Sequence, residues 1–461
     1  MAERRFLVDR SMRSKQMQLH GWGRTSQARV SAYRPERTAS VTAGLDGVPD
    51  RGVIAYAGGR SYGDAALNDG GRALLTGRLD RVFAFDAEAA EVVCEPGLTF
   101  NDLQSVLLPL GFTAPVIPGT GFATVGGGVA NDVHGKNHDR HGSLGDHVRW
   151  LDLVLADGTA CRVSPDDRPD LFGATIGGLG LTGIITAISL KLLPIPGDSV
   201  EVREYRATDL DGFLQLLAEH RDRATYSVGW VDALARGRRL GRGILQTAEP
   251  RVSRQSLAAR RHHGARFAMP FDLPSWGLNR ATVAAFNAVY YRRVPRGGRT
   301  RTMPFYRFLH PLDSILDWNR MYGRRGFHQF QCVIPDADGE HGVRRLLEVV
   351  SDAGAASFLA VLKTLGGSGR GFLSVPMRGL TLALDLPAKS GAVELLRQLE
   401  TVTLDHGGRV YLAKDSALSP EGFRKMYPEL PAFRAVLDEV DPEGRFASDM
   451  ARRLRIREGA P

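Results

Sequence analysis

The sequence predicts an α+β fold in two packed units, with a closing segment that returns to the first. Three observations predict it. The chain has 461 residues, too long for one ordinary domain. From about residue 50 its texture is short β-type runs broken by glycine. After Pro194–Pro196 the composition shifts to longer strand-and-helix alternation. The boundaries expected are 1–195 for the first unit, 196–415 for the second, and 416–461 for the returning segment.

Residues 1–40 are polar and basic around an island, GWGRTS, at Gly21–Ser26. Val53–Ala57, Arg81–Phe85 and Glu91–Glu95 read as strands. Asn101–Leu110 carries apolar residues at helical spacing, with Thr99 or Asn101 as N-cap. A long loop rich in glycine and histidine follows at Pro118–Gly145. Val148–Leu155 and Gly183–Leu192 read as strands. In the second unit, Leu210–His220 reads as a helix and Ala224–Val231 as a strand, while 236–301 is basic and irregular, an exposed or mobile insertion. Strands follow at Phe327–Ile334, Ser357–Lys363 and Leu380–Leu386, and helices at Val343–Ala353 and Ala392–His406. The stretch 420–456 is helical and folds back. No internal repeat is present.

The net charge of +9 points to an anionic partner, whether nucleic acid, membrane or phosphorylated substrate, or to nothing beyond arginine-rich codon usage. Cys94, Cys161 and Cys332 form no CxxC pair and are odd in number, which argues against a zinc site or a disulfide framework and for buried thiols. The N-terminus lacks an apolar signal region, and no run of about 18 apolar residues exists. The expected location is cytoplasmic, with membrane contact at most peripheral.

Glycine clusters at three places carry the chemistry. In GGRSYGD, Gly58–Asp64, the glycines Gly59 and Gly63 flank Arg60, Ser61 and Tyr62 straight after a strand. Such a turn brings amides close to a ligand as an anion nest, although a ligand-free turn uses the same residues. The second is PGTGFATVGGGVANDVHGKNH, beginning at Pro118 and Gly119, with small residues and free amides at Thr124, Gly126 and Gly127. Its His134 and His138, with His141, lack a carboxylate or cysteine to complete a metal site, and no metal is expected. The third is TIGGLGLTGII, in which Gly178–Gly183 has GxGxxG spacing. It leads into a strand, so it fails the dinucleotide-fingerprint test, which requires a helix there. Three loops in one α+β unit suggest one extended ligand wrapped by backbone, and FAD meets that demand.

These three motifs, with GSLGDHV between them, resemble the flavin domain of the vanillyl-alcohol-oxidase family, of the PCMH type. GWGRTS, HPLDSILDWNRMYG, FHQFQCVIP, YLAKDS and FASDMARRL extend the likeness from about residue 20 to 455, toward members that oxidise a polyprenylphosphoryl ribose. The resemblance implies a two-subdomain FAD-binding domain plus a substrate domain on an antiparallel sheet. It implies non-covalent FAD, oxidation of the ribose 2′-hydroxyl to a 2′-keto sugar, and a separate short-chain reductase as partner. It places Tyr62, Thr120, Thr124, Gly127 and Asn131 at the flavin, together with His134, Gly135, Asn137, Ser143 and Ile184, and sets Tyr411 beside it. Lys414 matches the active-site lysine, Gln331 and Lys363 match substrate-side polar groups, and Trp230 matches a pocket aromatic. On the residues alone, Gln329 or Gln331 faces the pocket, and Lys414–Asp415 reads first as a surface ion pair; only the resemblance turns Lys414 toward catalysis.

The chain departs from those members in GLTLALDLP, Gly379–Pro387. Their cysteine near the flavin, the target of covalent nitroaromatic inhibitors, is here Ala383, and their asparagine two positions earlier is Thr381. Another sugar, alditol, aldonolactone or nucleoside therefore stays open as substrate. Nucleic-acid binding rests on charge alone, and the flavin loops argue against it.

Overall fold

The computed structural model describes residues 14–252, 267–274, 276–355 and 358–457. GWGRTS turns a hairpin between strands Ser14–His20 and Gln27–Tyr33. The first of these is almost wholly exposed, so it lacks the apolar alternation by which a strand is read, and the sequence showed only a polar stretch. The hairpin opens a four-stranded sheet in which Gln27–Tyr33, Arg72–Leu75 and Val53–Tyr56 run parallel. A five-stranded antiparallel sheet follows, in the order Val82–Asp86, Glu91–Cys94, Ile184–Lys191, Val148–Val154 and Ala160–Val163. Cys94 and Cys332 are buried, as expected, but Cys161 is half-exposed because its strand is the sheet edge. The helix Phe100–Leu107 packs on this unit, and Thr99 caps it by accepting from the Asp102 amide.

The second unit is an eight-stranded antiparallel sheet. Its order is Arg299–Pro304, Ser199–Ala207, Gly243–Arg251, Tyr226–Val231, Ala360–Leu365, Gly379–Pro387, Phe327–Pro335 and Arg409–Val410. Helices Gly339–Ala353 and Ala392–Asp405 pack together against one side. The described part of 236–301 corrects the expectation of an irregular insertion. Gly243–Arg251 is an interior strand with Ile244 and Leu245 fully buried, and Arg280–Arg292 is a helix capped by Asn279. Arginine density masks both, since the apolar residues of Gly243–Arg251 face two sides at once and leave no alternation to read. Residues 253–266, also in that stretch, lie outside the described residues.

The segment after Asp415 holds helices Pro420–Met426, Leu430–Val440 and Asp449–Arg453. It bridges back to the first sheet, where Phe446 lies beside Val53 and the Ala447 amide donates to Val53 O at 3.0 Å. Arg453 grips Asp64 through two nitrogens, at 2.8 and 2.7 Å, and Asp415 at 2.8 Å. The α+β class expected is the class observed. Among the described residues no helix is long and apolar enough to cross a membrane.

Candidate functional site

A cavity of about 650 Å³ opens between the glycine loops and one face of the eight-stranded sheet. Three segments converge on the loop side. Gly58–Asp64 follows strand Val53–Tyr56, and Gly59 takes φ +60°, a left-handed turn that favours glycine. The amides of Gly59, Arg60 and Ser61 make no hydrogen bond among the described residues. The Tyr62 amide donates to Ala413 O at 3.0 Å and ties the loop to the turn that carries Lys414. Pro118–Gly135 forms the second wall. A side chain at Gly126 would come within 2.4 Å of Pro96 Cβ, whereas at Gly119 nothing lies within 4 Å. From the third cluster Leu179, Gly180 and Gly183 reach the cavity.

The sheet side is built from strand register. Side chains alternate faces along a strand, so residues paired across strands share a face. Gln331 pairs with Ala383, Ala383 with Val361, and Val361 with Trp230. Gln329 pairs with Asp385, and Lys363 with Thr381. Both glutamines line the cavity, which answers the question of which one faces it. Lys414 ends a short 3-10 turn, Leu412–Lys414, and pairing with Phe327–Pro335 stops at Val410.

These side chains form one network. His134 sits at its centre, with Nδ1 2.8 Å from Lys363 Nζ and Nε2 2.9 Å from the Gln331 carboxamide. Lys363 also donates to Gly135 O, and Gln331 Nε2 donates to Thr381 Oγ1 at 3.2 Å. The Tyr411 hydroxyl donates to Asn131 O at 2.9 Å, and its ring lies 5.5 Å from that of His134. Lys414 Nζ stands 4.1 Å over the Tyr62 ring. Asp385, fully buried, accepts from Gln329 Nε2 at 2.6 Å and from the Tyr322 hydroxyl at 2.9 Å.

Burial sets the charges. Desolvation brings Lys414 down to about 8 against the upward pull of Asp385, and Lys363 down to about 7 against Asp139. Desolvation pushes Asp385 up to about 7, opposed by its bonds from Gln329 and Tyr322. Burial, then the nearby Lys363, holds His134 well below the usual imidazole range. The site therefore contains amines poised to exchange protons near neutrality.

Most of the expected site residues line this cavity: Gly59 through Gly63, Pro118, Gly119, Thr120 and Thr124; Gly126, Gly127, Asn131, His134 and Gly135; Gly183, Trp230, Lys363, Ala383, Tyr411 and Lys414. Five do not. Asn137 is buried behind the wall, where its Nδ2 donates to Pro115 O at 2.8 Å. Ser143 is fully buried, with its hydroxyl beside Asp146. Gly178 is a packing glycine whose side chain would meet Ala174 O at 1.9 Å. Ile184 belongs to a small core with Val53, Leu74 and Phe446. Thr381 acts from behind, through Gln331. Sequence reasoning passes over Asp385, although a lone carboxylate inside the apolar run GLTLALDLP is itself a signal of a paired or functional acid. It also passes over Lys136, Arg293 and Arg301, all on the wall.

The donor set fits FAD. Consecutive unsatisfied amides in a glycine turn suit a pyrophosphate, and the buried Asn131 Oδ1 on the wall lacks a partner among the described residues. Cavity and loops together form a site for an extended dinucleotide, and comparison with known proteins makes the chain an FAD-dependent oxidoreductase acting on hydroxyl groups. Residues 34–164 match the family model described as "FAD binding domain", and 387–454 match that of D-arabinono-1,4-lactone oxidase. The chain is 35% identical to decaprenylphosphoryl-β-D-ribose oxidase of Mycolicibacterium smegmatis, over 95% of this chain and 97% of the relative. It is 27% identical to an alditol oxidase of a Streptomyces species, over 87% and 90% of the two chains. L-gulonolactone oxidase of Mus musculus is 29% identical over 39% of this chain and 41% of its own. The chain belongs to the decaprenylphosphoryl-β-D-ribose oxidase family of vanillyl-alcohol-oxidase-type flavoproteins.

Proposed function

We propose that the chain oxidises the 2′-hydroxyl of a polyprenylphosphoryl ribose to the 2′-keto sugar. The observation that carries this reading is the near-complete overlap with the M. smegmatis oxidase. The paired amines Lys363 and Lys414 on the substrate wall support it. FAD held by the loops Gly58–Asp64 and Pro118–Gly135 would supply the hydride acceptor for this oxidation. Lys414 Nζ, unprotonated above about pH 8, receives the hydroxyl proton. Gln331 and Lys363, both fixed by His134, orient the sugar oxygens. Trp318, Tyr322 and Phe327 pack with Tyr62 and keep water from the lysine.

Both His134 ring nitrogens are engaged by side chains, which leaves neither for a covalent link, so FAD is held non-covalently. Acid precipitation should release all the yellow colour into the supernatant. The keto product calls for a reductase to complete epimerisation. Phe267, Phe271 and Trp276 are exposed on the segment next to the cavity rim and suit contact with the interface where a polyprenyl substrate resides.

The deciding experiment is anaerobic flavin bleaching with a prenylphosphoryl ribose against alditols, aldonolactones and nucleosides. Preferential bleaching by the phosphosugar is expected. Bleaching by alditols alone would replace this reading with the one the Streptomyces relative suggests.

A further inference from the structure

Among the described residues, buried carboxylates other than Glu204 pair with one arginine at most. Glu95 has Arg81, Asp232 has Arg242, and Asp441 has Arg457, with amides or neutral side chains completing each shell. Glu204, fully buried on strand Ser199–Ala207, takes three. Arg299 covers Oε2 with Nε at 2.8 Å and a terminal nitrogen, and Gln246 Nε2 donates to Oε1 at 2.6 Å. Those two groups already satisfy the carboxylate. Arg293, 2.9 Å from Oε1, and Arg301, 3.4 Å from Oε2, are additional and leave a net positive charge.

The two additional arginines face the cavity, whereas Arg299 does not. Each keeps a buried Nε–H outside hydrogen-bond geometry, that of Arg301 being the atom 3.4 Å from Oε2. A buried donor left unmade is costly, so an acceptor-rich anion is the natural complement. Arg307, exposed, also lines the cavity. The neighbours are aromatic. Arg293 lies 4.2 Å over Tyr290, whose ring is 4.8 Å from Trp230 and 5.7 Å from Phe286, and Phe286 is 5.5 Å from Phe358. Trp230 sits on the strand beside that of Lys363, one spacing of about 4.8 Å away.

We infer that Arg293 and Arg301 form the phosphoryl subsite of the substrate cavity, with the aromatic strip Trp230, Tyr290, Phe286 and Phe358 taking the apolar chain beyond it. The inference rests on the phosphosugar reading and names the residues that select for it. Guanidinium forks match phosphoryl oxygens in geometry as well as charge.

The test uses the FAD-loaded enzyme in anaerobic rapid mixing with a short prenylphosphoryl ribose and with methyl riboside, which lacks the phosphoryl group. Arg293→Gln and Arg301→Gln should each weaken the apparent Kd for the phosphosugar by roughly 10- to 100-fold, the loss of one charge-assisted bond. The limiting reduction rate should move far less, and the response to methyl riboside should not move. Arg301→Lys should recover part of the affinity. Flavin content and melting midpoint report whether the variants remain folded. Inorganic pyrophosphate should compete with the phosphosugar in the wild type and fail to compete in the glutamine variants. Unchanged phosphosugar affinity in both variants would overturn the inference, as would equal losses for the two sugars. If the wild-type flavin is not bleached by the phosphosugar at all, the proposed function fails. Pyrophosphate binding, read by tryptophan fluorescence, then decides the subsite alone: binding that the glutamine variants lose upholds it, and no binding removes it.

Discussion

The loops Gly58–Asp64 and Pro118–Gly135 meet the cavity largely with glycine and backbone, while the eight-stranded sheet meets it with the side chains of Gln329, Gln331, Lys363 and Trp230. The two walls fail differently when changed. Backbone walls tolerate no added bulk, because the cradle is the space a side chain would fill. Side-chain walls tolerate bulk but depend on protonation and on partners behind them, as Gln331 depends on His134 and Thr381.

The largest effect should come from the substrate wall. Lys414→Ala should slow flavin reduction by about 10²- to 10⁴-fold, the usual worth of a positioned proton acceptor. Its flavin spectrum should stay intact, and retained reduction would remove Lys414 from the chemistry. Next is the cofactor wall. At Gly126 a Cβ would already lie 2.4 Å from Pro96 Cβ. Gly126→Val should give protein that purifies colourless and is destabilised by about 1–3 kcal/mol in denaturant titration. A yellow, stable variant would erase the contrast between the walls.

A subtler effect concerns pH. The rate of reduction should rise with pH through about 8, as Lys414 becomes neutral. Asp385 raises that lysine, so Asp385→Asn should move the midpoint lower. A midpoint that stays put or climbs would break the coupling. The smallest effect is at Ala383, a wall position without a thiol. The wild type should form no adduct with thiol-directed nitroaromatics in intact-mass measurements, and Ala383→Cys should form one with little change in reduction rate.

The same division governs what the sequence could reveal. The glycine loops were legible because a conformational demand leaves a residue-type signature, GGRSYGD or VGGGVAND, at the point of contact. Strands and helices with one apolar face were legible too, within a residue or two at most ends. The substrate wall was legible only through family likeness. Gln331, Ala383, Val361 and Trp230 come together by pairing across four strands, and no local pattern encodes that register. Strand Ser14–His20 stayed hidden because its side chains face solvent. Strand Gly243–Arg251 stayed hidden because it is interior to the sheet and framed by arginines.

Arg453 grips Asp64, 389 positions earlier in the chain, and the same guanidinium holds Asp415, one residue beyond Lys414. During translation, the loop Gly58–Asp64 is completed early, yet its anchor Arg453 emerges from the ribosome hundreds of codons later. A nascent chain stalled before residue 453 therefore carries the glycines of this loop without the guanidinium that ties Asp64 to Asp415.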